Sequence, residues 1–314
     1  MRIWKSRLLL PLLLATAVHA HSLPSRRSTP AGAQESSNFT YRSCASEVRL
    51  VFFATDEDDR PVEVLQQDDF AVIDDEVVIR EFRSFTRSAP SKLDVTVLMD
   101  FSESVLPQLQ QETTNVLHLI ALWPWSPGDK LSVLSFNGTE AHVICAGTCR
   151  SSFTADQFGS LRLGGSTPLF DALEIATNEL VRRSQPEIWP VIILFSDGED
   201  TISKASFQGA LEKILAGGVQ VYAIDIGRPG QLSSGTATLQ GIADDSGGRY
   251  LRISEGAAKI FNDVIADLHS ARVVAYALPV SSSDFHSIRI LPTRNLNLQF
   301  RSRRGYYRHS GNAY

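Results

Sequence analysis

The stretch Leu93-Asp-Val-Thr-Val-Leu-Met-Asp-Phe-Ser-Glu-Ser-Val105 carries an apolar run that stops at an aspartate and two serines, Asp100, Ser102 and Ser104. Its centre, Val95-Thr-Val-Leu-Met99, ends in three consecutive apolar residues and does not keep a polar face. Strands with one wet face alternate, whereas strands buried on both faces of a parallel sheet read as continuous runs. Three later runs have the same character: KLSVLSF from Lys130, PVIILF from Pro190 and VQVYAIDI from Val219. Between them the apolar residues fall at helical spacing. Residues 105–122 place Leu106, Leu109, Val116, Leu117 and Ile120 on one stripe, and residues 168–183 do so with Leu169, Leu173, Ala176 and Leu180. KASFQGALEKILAGG ends in glycines, as helix C-termini do, and AAKIFNDVIADLHSA is the last helix. Strand and helix in alternation predict an α/β domain over residues 92–272, with a doubly wound, mostly parallel sheet.

On either side the pattern changes. Residues 44–91 hold EVRLVFFA, an acidic turn, and two strands around Asp74-Asp75, with no helical period. Residues 273–314 hold RVVAYALPV, HSIRIL and NLNLQFRS, also strands. Neither segment buries much surface alone. The expectation is that they combine into one accessory β layer beside the α/β domain.

The N-terminus reads as a targeting segment. Arg2, Lys5 and Arg7 precede an apolar run from Leu8 to Val18, followed by small residues around Ala20. Residues 1–20 are therefore expected to be a secretory signal peptide, the run being shorter than the roughly 20 residues that span a bilayer. Residues 21–43, rich in Ser, Pro, Arg and Ala, read as a flexible leader. The mature chain is expected outside the cytoplasm, periplasmic or extracellular, without a transmembrane span. A formal net charge of −5 gives no reason to expect nucleic acid as a partner. In an exported protein, Cys145 and Cys149 are expected to close a small loop by a disulfide. Zinc is the competing reading because His142 is near, but in an extended strand His142 and Cys145 point to opposite faces. Cys44 is left free or pairs between chains.

In doubly wound sheets, ligands bind beyond the carboxyl ends of the strands. There the sequence puts Asp100, Ser102 and Ser104, then Thr167 after LGGS, then Asp197-Gly198-Glu199-Asp200 after VIILFS. Two carboxylates and three hydroxyls make a set of hard oxygen ligands suited to Mg²⁺, or to Mn²⁺. Each residue also has an ordinary role. Ser104 can cap a helix, Thr167-Pro168 can open one, and Asp197-Gly198 can form a turn. Two ionised aspartates balance a divalent cation, and an open position on it suits the carboxylate of a protein partner. A phosphohydrolase of the haloacid type needs an acid two residues after the first aspartate, and Ser102 stands there. The chain also has neither a G-x-S-x-G elbow nor a phosphate-binding glycine motif.

Asp-x-Ser-x-Ser at 100–104, Thr167 and Asp197-Gly198 together resemble the metal-ion-dependent adhesion site of von Willebrand factor type A domains. The flanks RPVEVLQQDDFAVIDD and RSRRGYY resemble a bacterial subgroup, the acidobacterial VWFA-related proteins. The resemblance implies an open dinucleotide-binding-like sheet, a bound divalent cation and binding to other proteins; it does not imply catalysis. It implies that Ser102, Ser104 and Thr167 are direct or near-direct ligands, with Asp100 and Asp197 acting directly or through water.

Overall fold

A computed structural model describes residues 47–87, 92–138, 140–147, 149, 163–185, 187–228, 233–280 and 283–308. The expected signal peptide, the leader and Cys44 lie outside the described residues. In chain order the elements are β1 (Glu47–Thr55), β2 (Phe70–Asp74), β3 (Val77–Ile79), β4 (Ser84–Thr86), β5 (Lys92–Asp100), α1 (Leu109–Leu122), β6 (Lys130–Asn137) and β7 (Glu140–Cys145). They continue with α2 (Leu169–Arg182), β8 (Ile188–Ser196), α3 (Phe207–Ala216), β9 (Gln220–Asp225), α4 (Ser234–Ser246), β10 (Tyr250–Arg252) and α5 (Ala257–Ser270). The last strands are β11 (Arg272–Ala277), β12 (Phe285–Pro292), β13 (Gln299–Ser302) and β14 (Gly305–Tyr307).

The central sheet has six strands in the order β10-β9-β8-β5-β6-β7. All neighbours pair in parallel except β7, which runs antiparallel to β6. Both faces are buried, which explains the unbroken apolar runs. Val95, Val97 and Met99 of β5 face a core with Val116 and Leu119 of α1 and Phe261 and Val264 of α5. Leu98 of the same strand, with Ile192 and Leu194 of β8, faces Leu173 and Ala176 of α2, Ile214 of α3 and Leu239 of α4. β6 lies on one side of β5 and β8 on the other, so the strand order reverses between β5 and β8. That is the switch point at which such sheets open a crevice.

The flanking segments differ from the single layer expected. They form two four-stranded sheets, β13-β1-β11-β4 and β14-β12-β2-β3, enclosing a third core. The alternation of burial requires it. Val48, Leu50 and Phe52 of β1 point one way, Val72 of β2 and Ile288 and Ile290 of β12 point back at them, and one sheet alone would leave either set wet. Each sheet mixes both ends of the chain, since β1 lies between β11 and β13 and β2 pairs with β12. From its other face β1 sends Phe53 into the α/β core, where it packs on Trp189.

Two further differences are local. The helix expected from residue 105 begins at Leu109. A short 3-10 turn, Glu103–Val105, precedes it, and Pro107, with no N–H to donate, stands between. Helix α4 and strand β10 had no counterpart in the sequence reading, because SGTATLQGIADDS carries small residues and no clear apolar stripe. Cys145 and Cys149 are joined by a disulfide, with Cα atoms 5.7 Å apart, and His142 is exposed on β7. Among the described residues no helix is long and apolar enough to cross a membrane.

Candidate metal centre

Strands β5 and β8 end side by side, with Met99 opposite Phe195. Asp100 is therefore delivered to the crevice together with Ser196 and Asp197. Asp100 is 1% exposed. Its Oδ1 accepts the Ser102 backbone N–H at 2.9 Å and its Oδ2 accepts the Ser196 hydroxyl at 2.7 Å. The Ser196 Oγ in turn accepts the Gly198 N–H at 3.0 Å. Ser196, which the sequence reading did not single out, thus ties the first aspartate to the loop carrying the second. Its neighbour Asp197 stands half-buried and accepts the Glu199 N–H at 3.1 Å.

The two serine hydroxyls after Asp100 lie 3.3 Å apart, that of Ser102 buried and that of Ser104 at the exposed rim. Thr167, 3% exposed, lies on a third loop. That loop is stitched to the first: Glu103 N–H donates to Gly165 O at 3.1 Å and Gly164 N–H to Phe101 O at 2.9 Å. It is stitched to the loop after β8 as well. Thr167 N–H donates to Thr201 Oγ1 at 2.7 Å, and Thr201 N–H to Thr167 O at 2.9 Å. Gly198 has φ +80°, and a Cβ there would lie 2.2 Å from the Gly235 carbonyl oxygen, so glycine is required for both reasons.

Burial pushes the Asp100 carboxyl up to about 6. The bonds from Ser102 and Ser196 pull it down, and the nearby charge of Asp197 pushes it up again. Among the described residues neither Asp100 nor Asp197 has an ion-pair partner. Two carboxylates and three hydroxyls, without nitrogen or sulfur, form a donor set that fits a hard divalent cation.

Other acids near the site are engaged. The Glu199 carboxylate accepts from Ser234 Oγ at 3.0 Å and Gly235 N–H at 3.2 Å at the start of α4, where negative charge is favoured. Asp225, at the end of β9, accepts from Gly227 N–H at 2.8 Å and the Tyr250 hydroxyl at 2.6 Å. Asp171 and Asp200 bind backbone N–H groups across the two loops.

Away from the crevice, Asp74, Asp75 and His286 bring ligand-capable atoms within 4.8 Å of one another, which makes them a candidate metal group. No local sequence pattern announces it, since His286 is 212 residues from Asp74. In the structure these atoms already serve one another. Asp74 Oδ2 accepts from Tyr276 and Tyr306 at 2.9 and 2.8 Å, Asp74 Oδ1 lies 2.9 Å from His286 Nδ1, and Asp75 Oδ1 accepts the Ser287 N–H at 2.9 Å. His286 Nε2 is buried without a partner. A metal-bound histidine ordinarily donates its second N–H to an acceptor and Nε2 has none, so the group fits a hydrogen-bonded cluster better than a metal site.

No curated protein matches the chain. Several solved structures are similar in fold. An aerotolerance-related membrane protein from Bacteroides fragilis aligns at 18% identity and TM-score 0.42, covering 56% of this chain and 98% of its own. BatB from Bacteroides thetaiotaomicron aligns at 19% and 0.43, with the same coverage. Proximal thread matrix protein 1 from the mussel byssus aligns at 18% and 0.47 over 62% of this chain and 50% of its own, in a structure described as having a zinc-occupied MIDAS motif. The family model for the von Willebrand factor type A domain matches residues 94–287. With that match over more than half its length, the chain belongs to the von Willebrand factor type A domain family.

Proposed function

We propose that this protein is an exported, non-enzymatic binding module that recognises the carboxylate of a protein partner through a divalent cation, Mg²⁺ or Mn²⁺. Ser102, Ser104 and Thr167 would hold the cation through their hydroxyls, and Asp100 and Asp197 directly or through water. The observation that carries the reading is the uncompensated acid pair at the switch point. Asp100 is buried, Asp197 stands at the end of the adjacent strand, and no described Lys, Arg or His pairs with either. Leaving a buried charge unpaired is costly, and a divalent cation removes that cost. The aspartates balance its charge while the hydroxyls add none, so an anionic oxygen remains a favourable further ligand. The residue two positions after Asp100 is Ser102, a poor acid/base, which favours binding over bond breaking. The apolar N-terminal run of the sequence supports export.

The test is a pull-down from envelope extract with the full chain in Mg²⁺ and in EDTA, with Asp100→Ala as control. A partner retained only in Mg²⁺ and lost with Asp100→Ala supports the reading. Partner binding that survives both EDTA and Asp100→Ala refutes it.

A further inference from the structure

Helix α2 opens directly after Thr167, yet its own N-cap position is Pro168, which makes no side-chain capping bond. The first N–H groups of a helix need acceptors, and here they come from the loop after β8. Ser203 Oγ accepts the N–H of Phe170 at 3.0 Å and of Asp171 at 3.1 Å. Asp200 Oδ1 accepts the Phe170 N–H at 3.3 Å and the Ser203 hydroxyl at 2.5 Å. The exchange runs both ways: the Asp171 carboxylate accepts the N–H of Lys204 at 3.0 Å and of Ala205 at 2.8 Å. One step closer to the site, Thr167 and Thr201 exchange the two bonds described above.

We infer that Ser203, Asp200, Asp171 and Thr201 are positioning residues for the cation site: they form a brace that fixes Thr167 relative to Asp197. The inference rests on the cation reading of the site. The physical reason is the weakness of the ligand. A neutral hydroxyl attracts a cation much less than a carboxylate does, so its contribution depends on being held in place beforehand. Both backbone polar groups of Thr167 are bonded to Thr201, and Thr201 belongs to the loop that carries Asp197. The spacing between a hydroxyl ligand and a carboxylate ligand is therefore set by the brace and not by the cation. Ser203 lies at its centre and is uncharged, so replacing it changes position without changing the field at the site.

The experiment is Mn²⁺ titration of the full chain, read by electron paramagnetic resonance, with melting temperatures measured separately in EDTA. Partners that orient metal ligands contribute about 10- to 100-fold in affinity. Ser203→Ala is expected to weaken Mn²⁺ binding by about tenfold, and Ser203→Thr, which keeps the hydroxyl, to retain it. Thr201→Val, isosteric but without the acceptor for Thr167 N–H, is expected to show the same loss and serves if Ser203→Ala folds poorly. Ser206→Ala is the stability control, because Ser206 caps α3 alone through Gly209 N–H at 3.1 Å. It should lower the melting temperature in EDTA and leave Mn²⁺ affinity unchanged. If the wild-type chain binds Mn²⁺, Asp100→Ala does not, and both Ser203→Ala and Thr201→Val bind like wild type, the brace is overturned while the cation reading stands. If the wild-type chain does not bind Mn²⁺, both are overturned.

Discussion

Gly198 shows how tightly single residues are specified around the crevice. Its φ of +80° and the 2.2 Å approach of the Gly235 carbonyl to any added Cβ are independent obstacles to a side chain. Gly198→Ala should destabilise the fold by about 2 kcal/mol or more, seen as a lower chemical-denaturation midpoint, and an unchanged midpoint would contradict the packing described. Glu112 of α1 gives a pH-dependent case. It is 2% exposed, and burial pushes its carboxyl above the ordinary 4.5, opposed by the Asn115 amide. A carboxyl raised in the folded state contributes stability that is complete below the unfolded value and is lost as pH rises through the folded one. Glu112→Gln should therefore raise the melting temperature at neutral pH, and its advantage should shrink towards zero below pH 4.5. An advantage that grows on acidification would show the sign to be wrong. At this scale the candidate residues Asp100, Ser102 and Ser104 stand out in the sequence because they sit two apart at a strand end. Their supports do not. Ser196 reaches Asp100 across 96 residues, and Ser203 reaches Asp171 across 32, so no local pattern announces either contact.

Elements followed the same logic. β5 and β8 were readable because burial on both faces leaves an unbroken apolar signature, and α2 because Leu169, Leu173, Ala176 and Leu180 recur on one face. α4 was not, since small residues, Gly235, Thr236, Ala243 and Ser246, make up much of its buried face beside Leu239 and Ile242. The apolar stripe of α2 makes a direct prediction. Leu173 is fully buried, and Leu173→Ala should cost about 3 kcal/mol. Ile175, on the same helix and 38% exposed, should tolerate lysine within about 0.5 kcal/mol. Equal losses at the two positions in urea denaturation would mean that the helix is rotated from the orientation described.

For the whole molecule, the two flanking segments are not appendages. Asp74 from the first accepts bonds from Tyr276 and Tyr306 of the second. Arg301 of β13 pairs with Asp267 of α5 at 2.6 Å and lies 3.9 Å over the ring of Phe53. Asp267 also receives the Tyr222 hydroxyl at 2.6 Å. Without Arg301, Asp267 would keep, among the described residues, only the longer 3.4 Å ion pair with Arg249, and weakening a largely buried pair is destabilising. Arg301→Ala should thus lower stability by about 2 kcal/mol, discounted from the fully buried case because Arg301 keeps 24% exposure. The β sandwich and the α/β domain should melt in one transition by calorimetry, and two separated transitions would show that they fold independently. The sequence showed both segments to be strands but not that they form two facing sheets, because pairing of β1 with β11 joins residues more than 200 apart.

The most direct test of the account is the stoichiometry of Mn²⁺ binding to the full chain and to its Asp100→Ala variant. One Mn²⁺ per wild-type chain, lost in the variant while the fold persists, is the result predicted. Binding that is absent in the wild type, or equal in both proteins, would contradict it.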